Sequence, residues 1–209
     1  IKKMFGTDVI IQDITFEVQK GDRIGLVGIN GSGKTMLMRL ISGLIRPSQG
    51  EISMNGKILG KDISFPNSIG VFLENPAFLD AYSGFNNLKL LASIKSVASD
   101  DDIRNTLLRV GLDPDSNKKY KKYSLGMKQR LGIAAAIMEK PEIVILDEPT
   151  NSLDEDGVDL VKHIVRNEKE RGALVIVSCH DEEILKGMSD EVFLLEQGRL
   201  IGHITEEDK

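Results

Sequence analysis

The spacing of apolar and polar residues predicts a strand-rich beginning of the chain. Residues 9–18, VIIQDITFEV, alternate apolar with polar, which is typical of an antiparallel strand with one face in water. Residues 23–28, RIGLVG, are more continuously apolar and predict a buried strand, and a glycine-rich loop then leads into a helix at about 34–44. An Asn-Gly pair within 51–59 predicts a hairpin, and 68–74 is a further candidate strand.

Helical spacing replaces this pattern between about residues 76 and 140. Residues 84–94 have the apolar spacing of a helix. Ser99, with Asp102 three residues later, predicts a capping box at the start of a second helix. A third helix is expected over about 124–138. The stretch therefore predicts a mostly helical lobe.

Strands and helices alternate again in the last third of the chain. Residues 142–147 and 173–178 predict buried strands, each followed by a helix, at about 156–171 and 181–188. A hairpin is expected over 191–202. Because this alternation occurs on both sides of the helical lobe, the pattern predicts an α/β fold with a mostly parallel sheet.

We interpret the 209 residues, of which 41% are hydrophobic and 28% charged, as a single globular domain. Residues 1–75 and 141–209 are expected to form its α/β core, to which the early strand and hairpin add an antiparallel β part. Residues 76–140 are expected to form its helical part. The sequence does not begin with methionine, so we expect a chain trimmed at its ends.

Charge and composition narrow the class of protein. The net charge of −5 argues against a general nucleic-acid-binding surface. The single cysteine, Cys179, excludes an internal disulfide and fits a reducing, cytosolic setting. No apolar run approaches the roughly 20 residues that a membrane-spanning helix needs. The basic run KKYKK at 118–122 could contact nucleic acid, but a solvated loop before a helix is the favoured interpretation.

The residues GINGSGKT at 28–35 fit the pattern G-x-x-x-x-G-K-[S/T] between a predicted strand and a predicted helix. Glycines there let the backbone amides approach an anion at the helix N-terminus. We expect Lys34 to reach the β- and γ-phosphates of a nucleotide and Thr35 to bind Mg²⁺ through its hydroxyl. The flanking elements disfavour the alternative, a glycine turn with a solvated lysine. The predicted nucleotide-binding residues here are Asn30, Gly31, Ser32, Gly33, Lys34, Thr35 and Met36.

Polar side chains follow two of the predicted buried strands. Asp147 is a candidate ligand of Mg²⁺, and Glu148 is a candidate general base that orients the attacking water. His180 leaves the same end of the sheet, where parallel sheets bind ligands, and predicts a contact to the γ-phosphate. The alternative for Asp147 and Glu148 is a solvated acidic loop, and the alternative for His180 is a structural role. Cys179 is interpreted as a small buried hydrophobe.

A second anion site is indicated far from the phosphate loop, at the turn YSLGM of residues 123–127. The hydroxyl and amide of Ser124 and the amide of Gly126 stand before a predicted helix, whose N-terminus carries partial positive charge. The turn by itself does not say which anion it binds.

In order along the chain, GINGSGKT, YSLGMKQR, IVILDEPT, NSLD and SCHD closely resemble the motifs of the ATPase subunit of ABC transporters. The resemblance covers nearly the whole chain. It implies a P-loop NTPase (RecA-like) core with a mostly parallel sheet, an antiparallel β subdomain and a helical subdomain. It also implies ATP and Mg²⁺ as cofactors.

The resemblance assigns a role to each matching position. It implies that Lys34 belongs to the Walker A loop, Glu148 is the catalytic base and His180 is the switch histidine. Phe5 stands where an aromatic stacks on adenine, the alternative being an ordinary core aromatic. Glu74 stands at the Q-loop position, usually Gln, as a further contact to the metal. The remaining assignments are Thr35 and Asp147 for the metal, Ser124, Leu125, Gly126 and Met127 for the signature, and Ser152, Leu153 and Asp154 for the D-loop.

The resemblance also implies a head-to-tail dimer, of identical or different subunits. Each ATP would lie between the Walker A loop of one subunit and the signature of the other, which would make the anion at Ser124 a γ-phosphate. A separate transmembrane permease would carry the substrate, with the ATPase on the cytoplasmic face of the membrane and no nucleic acid as partner. The signature has Leu125 and Met127 in place of Gly and Gln, and this variant resembles exporters of drugs and antimicrobial peptides.

Two alternatives belong to other classes. A soluble ABC-type ATPase acting on ribosomes or DNA would show two phosphate loops or long heptad insertions, and the sequence shows neither. A P-loop kinase of small molecules would leave the signature, the Ser-Leu-Asp segment and His180 without a role.

Overall fold

The computed structural model describes residues 1–73 and 77–205. Within these residues, six strands form the central sheet in the order β10-β9-β3-β8-β7-β6. The strands are β1 Lys3–Phe5, β2 Asp8–Ile11, β3 Arg23–Val27, β4 Ser53–Met54, β5 Lys57–Ile58, β6 Ile69–Phe72, β7 Ile143–Leu146, β8 Leu174–Cys179, β9 Glu191–Glu196 and β10 Arg199–Ile204. The helices are α1 Lys34–Ile41, α2 Gly84–Lys95, α3 Asp100–Arg109, α4 Leu125–Ile137, α5 Glu155–Glu170 and α6 Glu182–Lys186, with a 3₁₀ turn at Tyr120–Lys122.

The central sheet is parallel from β6 to β9, and only β10 at its edge is antiparallel. Val27 at the end of β3 pairs with Cys179 at the end of β8, and Leu146 at the end of β7 pairs with Val177. The carboxyl ends of β3, β7 and β8 therefore meet at one edge of the sheet. The mostly parallel α/β fold expected from the sequence is confirmed.

Neighbouring residues of each central strand enter different cores. Val144 and Leu146 of β7 pack in the larger apolar cluster, which includes buried residues of α4 and α5. Ile145, which lies between them, packs in the second cluster with Leu37 and Met38 of α1. Successive strand side chains point to opposite faces, so helices cover both faces of the sheet and its strands are apolar throughout.

The strand predicted over 9–18 is shorter than the sequence pattern suggested. Strand β2 ends at Ile11, and Asp13 has a left-handed φ of 54° that interrupts the ladder. Ile14 is nevertheless fully buried, and Phe16 lies 5.0 Å from Phe193 between ring centroids. The alternation of apolar and polar residues therefore predicted correctly that Ile14 faces the core. It did not predict that the backbone beyond Ile11 leaves the strand.

Capping residues define the helices between the two halves of the sheet. The Ser99 hydroxyl accepts a hydrogen bond from the Asp102 amide, and the Asp102 carboxylate accepts one from the Ser99 amide, which confirms the predicted capping box. Ser124 caps α4 by accepting a hydrogen bond of 3.2 Å from the Met127 amide.

The division into a core and a helical subdomain stays a prediction. In the part of the chain that the structure describes, no helix is long and apolar enough to cross a membrane.

Candidate functional site

The phosphate loop connects β3 to α1 and has a backbone that glycine alone adopts easily. Gly31 and Gly33 have φ angles of 83° and 108°, in the region that side chains disfavour. A Cβ on Gly28 would lie 2.4 Å from the carbonyl oxygen of Leu195, so this position has no room for a side chain. The loop residues 30–36, which are all predicted nucleotide-binding residues, line one cleft of about 290 Å³ together with Ile10, Arg39 and Glu148.

Lys34 extends back along the loop instead of into solvent. Its side chain is only 5% exposed, and the ammonium donates a 2.6 Å hydrogen bond to the carbonyl oxygen of Gly28. The same ammonium lies 3.3 Å from Oε1 of Glu148. The charge is therefore held at the floor of the cleft, where an incoming phosphate would meet it. The alternative of a solvated lysine is wrong.

Asp147 joins the phosphate loop to the centre of the sheet. The Thr35 hydroxyl donates a 2.6 Å hydrogen bond to one carboxylate oxygen of Asp147. The Ser178 hydroxyl, from the neighbouring strand β8, donates to the other oxygen. A hydroxyl and a carboxylate oxygen thus meet at the start of α1, and oxygen ligands of this kind suit Mg²⁺. The donor set fits the metal expected from the sequence.

Glu148 has an unusual backbone and a buried carboxylate. Its φ of 49° is left-handed, which is uncommon for a residue with a long side chain. Its amide donates a 2.9 Å hydrogen bond to the Ser178 hydroxyl, and its carbonyl oxygen accepts one of 2.8 Å from Nε2 of Gln129. Among the described residues, no donor makes a hydrogen bond to the buried oxygen Oε1, so its lone pairs face the Lys34 ammonium alone.

His180 lies at the mouth of the same site. Its Nδ1 is 3.2 Å from Oε2 of Glu148, and the ring is largely exposed. The predicted base and the predicted switch histidine are therefore in direct contact. Cys179 beside it is fully buried, as expected, and its Sγ lies 3.6 Å from the Thr150 hydroxyl.

The signature turn and the D-loop lie together at a second cavity of about 640 Å³. A Cβ on Gly126 would lie 3.3 Å from the carbonyl oxygen of Ser152, whose φ of 63° is also left-handed. Leu125 is 70% exposed beside them. Asp154 accepts a hydrogen bond from Gly157 and so caps α5. None of the residues that line this cavity also lines the cleft at the phosphate loop, which we call the Walker A cleft.

Two predicted residues stand apart from these groups. Phe5 is 50% exposed in β1 and its ring lies 4.6 Å from the Lys3 ammonium, so the alternative of a core aromatic is wrong. Its stacking on adenine stays a prediction. The prediction for Glu74 lies outside the described residues.

Sequence reasoning missed Gln129 and Ser178, which hold the backbone of Glu148 from two sides. Ser178 left a signal, because it is a polar residue in the otherwise apolar run LVIVSC of β8. Gln129 left none, since a polar residue in a helix is ordinarily solvated, whereas here the side chain is only 8% exposed. Ile10 and Arg39 of the nucleotide cleft were also missed.

Comparison with known proteins identifies the family of the chain. The ABC transporter family profile matches residues 11–151. The chain is 48% identical over 200 residues to an uncharacterised ABC transporter ATP-binding protein of Bacillus subtilis, covering 96% of this chain and 92% of that protein. It is 34% identical over 207 residues to a bacitracin transport ATP-binding protein of Enterococcus faecalis, covering 98% and 67%. It is 32% identical over 202 residues to a lantibiotic transport ATP-binding protein of Streptococcus pyogenes, covering 96% and 86%.

Solved structures agree with the fold. A structure described as the ATP binding subunit of an ABC transporter superposes with a TM-score of 0.86 at 26% identity, covering 99% of this chain and 88% of that one. A dimeric ATP-binding cassette in a post-hydrolysis state with ADP and Pi superposes with a TM-score of 0.85 at 20% identity, covering 98% and 94%, and supports the fold. The chain belongs to the ABC transporter family, as an ATP-binding subunit that hydrolyses ATP.

Proposed function

We propose that two copies of this ATPase domain bind MgATP head-to-tail and that hydrolysis powers export through a separate transmembrane permease. The observation that carries the proposal is the meeting of Lys34, Thr35, Asp147, Glu148 and His180 at one edge of the sheet. Groups from three separate parts of the sequence converge there, and each has a task in phosphoryl transfer.

The residues divide the chemistry between phosphate binding and activation of water. Lys34 neutralises the β- and γ-phosphates once they displace it from Glu148. Thr35 and Asp147 would hold Mg²⁺, which would supply positive charge beside the transferred phosphoryl group. Glu148 takes a proton from the attacking water, and His180 orients that carboxylate through their contact.

The signature turn supports a dimer. Ser124 and Gly126 line a cavity separate from the Walker A cleft of their own chain, so within one copy they have no nucleotide to bind. In a head-to-tail pair, each turn would present the N-terminus of α4 to the γ-phosphate held by the other copy. The D-loop residue Ser152, packed on Gly126, would enter the same interface.

The names of the relatives support a role in transport. Two of them are named for bacitracin transport and lantibiotic transport, and both substrates are peptide antibiotics. By extension, this chain would sit on the cytoplasmic face of the membrane, bound to a permease that expels compounds of this class. The helical segment and the loop around Glu74 would form the contact with the permease.

Action on ribosomes or DNA is the less favoured function. The matched relatives are transport proteins, and the basic run at 118–122 is partly used within the fold, where the Lys118 ammonium lies 3.6 Å from the Met127 sulfur. The kinase alternative leaves unexplained the cavity that the signature and D-loop share.

The experiment is size-exclusion chromatography of Glu148→Gln with and without MgATP. Removing the base leaves ATP binding intact and stops turnover, so we expect ATP to convert the variant into a dimer. The matched control is Lys34→Ala/Glu148→Gln, which should stay monomeric. A Glu148→Gln protein that stays monomeric at saturating ATP, or that hydrolyses ATP like the parent, would contradict the proposal. Co-purification with a polytopic membrane protein tests the permease.

A further inference from the structure

Gln129 reaches the catalytic loop from the signature helix. It lies in the second turn of α4, is 8% exposed, and donates from Nε2 to the carbonyl oxygen of Glu148 at 2.8 Å. A buried amide needs such a partner, because leaving it unpaired would destabilise the fold. The partner it has is the backbone of the residue that activates water.

The backbone of Glu148 needs to be held. A residue with a Cβ is disfavoured in the left-handed region, so the φ of 49° persists only because its surroundings enforce it. Ser178 holds the amide of Glu148, and Gln129 holds the carbonyl oxygen. Since the backbone angle sets the direction of the side chain, these two contacts keep the carboxylate between Lys34 and His180.

The helix α4 connects the signature turn to Gln129, which holds the carbonyl oxygen of Glu148. Ser124 caps α4, and Gln129 follows five residues later, a rise of about 7.5 Å along the helix. A movement of α4 that seats the signature turn against a nucleotide therefore also moves the group that holds Glu148. Met127 and Lys128 on the same helix have other partners: the Met127 sulfur lies 3.6 Å from the Lys118 ammonium, and the Lys128 ammonium lies 5.0 Å from the centroid of the Tyr120 ring.

We propose that Gln129 is a positioning residue. Through it, the signature helix α4 fixes the backbone conformation of the general base Glu148 and hence the direction of its carboxylate. The inference rests on the proposed function, because it takes Glu148 as that base. It adds a coupling within one chain: the helix that contacts the other copy's ATP also determines whether the local base is correctly placed. Hydrolysis then follows closure of the dimer without a separate signal.

The test compares Gln129→Met with Lys128→Met, which puts the same side chain one position away on the same helix. Met keeps the length and approximate volume of Gln but cannot donate to a carbonyl oxygen. We expect Gln129→Met to lower kcat by about 10- to 100-fold, since a displaced base loses part of the 10²–10⁴-fold that general-base catalysis supplies. ATP affinity of the monomer and KM should stay within about twofold. Lys128→Met should match the parent.

Two further measurements separate positioning from a structural role. In a Glu148→Gln background, Gln129→Met should leave the ATP-dependent dimer intact and should not lower the residual turnover, because the two changes affect one group. Loss of the dimer, or an additive loss of turnover, would overturn the inference. A kcat within twofold of the parent in both Gln129→Met and Gln129→Glu would also overturn the inference, because each substitution removes the donor. Failure of Glu148→Gln alone to stop hydrolysis refutes the proposed function instead, and is seen without any change at Gln129.

Discussion

The Lys34 ammonium and the Glu148 carboxylate form an ion pair across the cleft at the phosphate loop, with Nζ 3.3 Å from Oε1. The two residues come from the phosphate loop and from the end of β7, 114 positions apart in the sequence. A phosphate that binds Lys34 competes with Glu148 for the same charge. We therefore expect nucleotide binding to release the carboxylate, which the proposed mechanism needs beside the γ-phosphate.

We expect Lys34→Ala to lower ATP turnover by at least about 100-fold, because the cleft loses its buried positive charge. Glu148→Gln should instead tighten ATP binding by the monomer, because Lys34 no longer has to leave a carboxylate. The rate of phosphate release measures the turnover, and titration with a fluorescent ATP analogue measures the binding. Unchanged turnover of Lys34→Ala would refute the site, and weaker binding by Glu148→Gln would refute the competition.

Ser124→Arg tests whether the signature acts on the other copy's nucleotide. The turn lies outside the Walker A cleft, so the variant should bind ATP as a monomer with the parent's affinity. The arginine should exclude the other copy's γ-phosphate from the turn and so abolish turnover at the site that contains it. Strongly weakened binding by the monomer would mean that the turn acts within its own chain.

A mixture of Ser124→Arg with Lys34→Ala sharpens that test. Half of the dimers formed in an equal mixture join the two variants, and each such dimer has one intact site, so about a quarter of the parent's turnover is expected. Each variant alone is the control and should be inactive. A mixture as inactive as its components would contradict sites shared between copies.

The nucleotide site could be predicted because its signals are local. The phosphate loop and the acidic pair each lie within a few consecutive residues, between strands whose apolar runs identify them. A parallel sheet then places their carboxyl ends together, so the contact of Thr35 with Asp147 follows from topology. The contact of His180 with Glu148 follows in the same way.

The two hydrogen bonds that hold the backbone of Glu148 could not be predicted, because they depend on tertiary packing. Nothing in the sequence says that Gln129 faces the sheet, or that Ser178 stands beside Asp147 in the next strand. The end of β2 was missed for a related reason. Apolar alternation reports burial and not backbone pairing, and Ile14 is buried without belonging to a strand.

Gly70→Ala tests the packing of the signature helix on the sheet. A Cβ on Gly70 of β6 would lie 1.7 Å from the carbonyl oxygen of Ala136, so the backbone of α4 would have to move. We expect a loss of about 3 kcal/mol and a Tm lower by about 6–12 °C. Gly202→Ala is the matched control in β10, because its Cβ would meet Leu194 at an ordinary 3.4 Å. Equal melting temperatures of the two variants would contradict the close packing.

Asp190 carries a pH-dependent part of the stability. It precedes β9, and one of its oxygens accepts hydrogen bonds from Arg23 at 2.5 Å and from Lys169 at 2.8 Å. Burial tends to raise the pKa of Asp190, but the bonds from these two cations outweigh it and hold the pKa below its usual range. Because the folded pKa is lower than the unfolded one, the stabilisation is present above about pH 4 and is lost as the pH falls below it.

We therefore expect Asp190→Asn to lower the free energy of unfolding by about 2 kcal/mol at pH 7, since it leaves two partly buried cations without their anion. The difference from the parent should begin to shrink as the pH is lowered from 5 toward 3, because the carboxyl of the unfolded parent then takes up a proton that the folded ion pairs resist. Urea unfolding at a series of pH values measures it. Asp115→Asn, which removes an exposed partner of Arg104, is the control and should change little. A difference that stays constant down to pH 3 would show that the ion pairs are not its source.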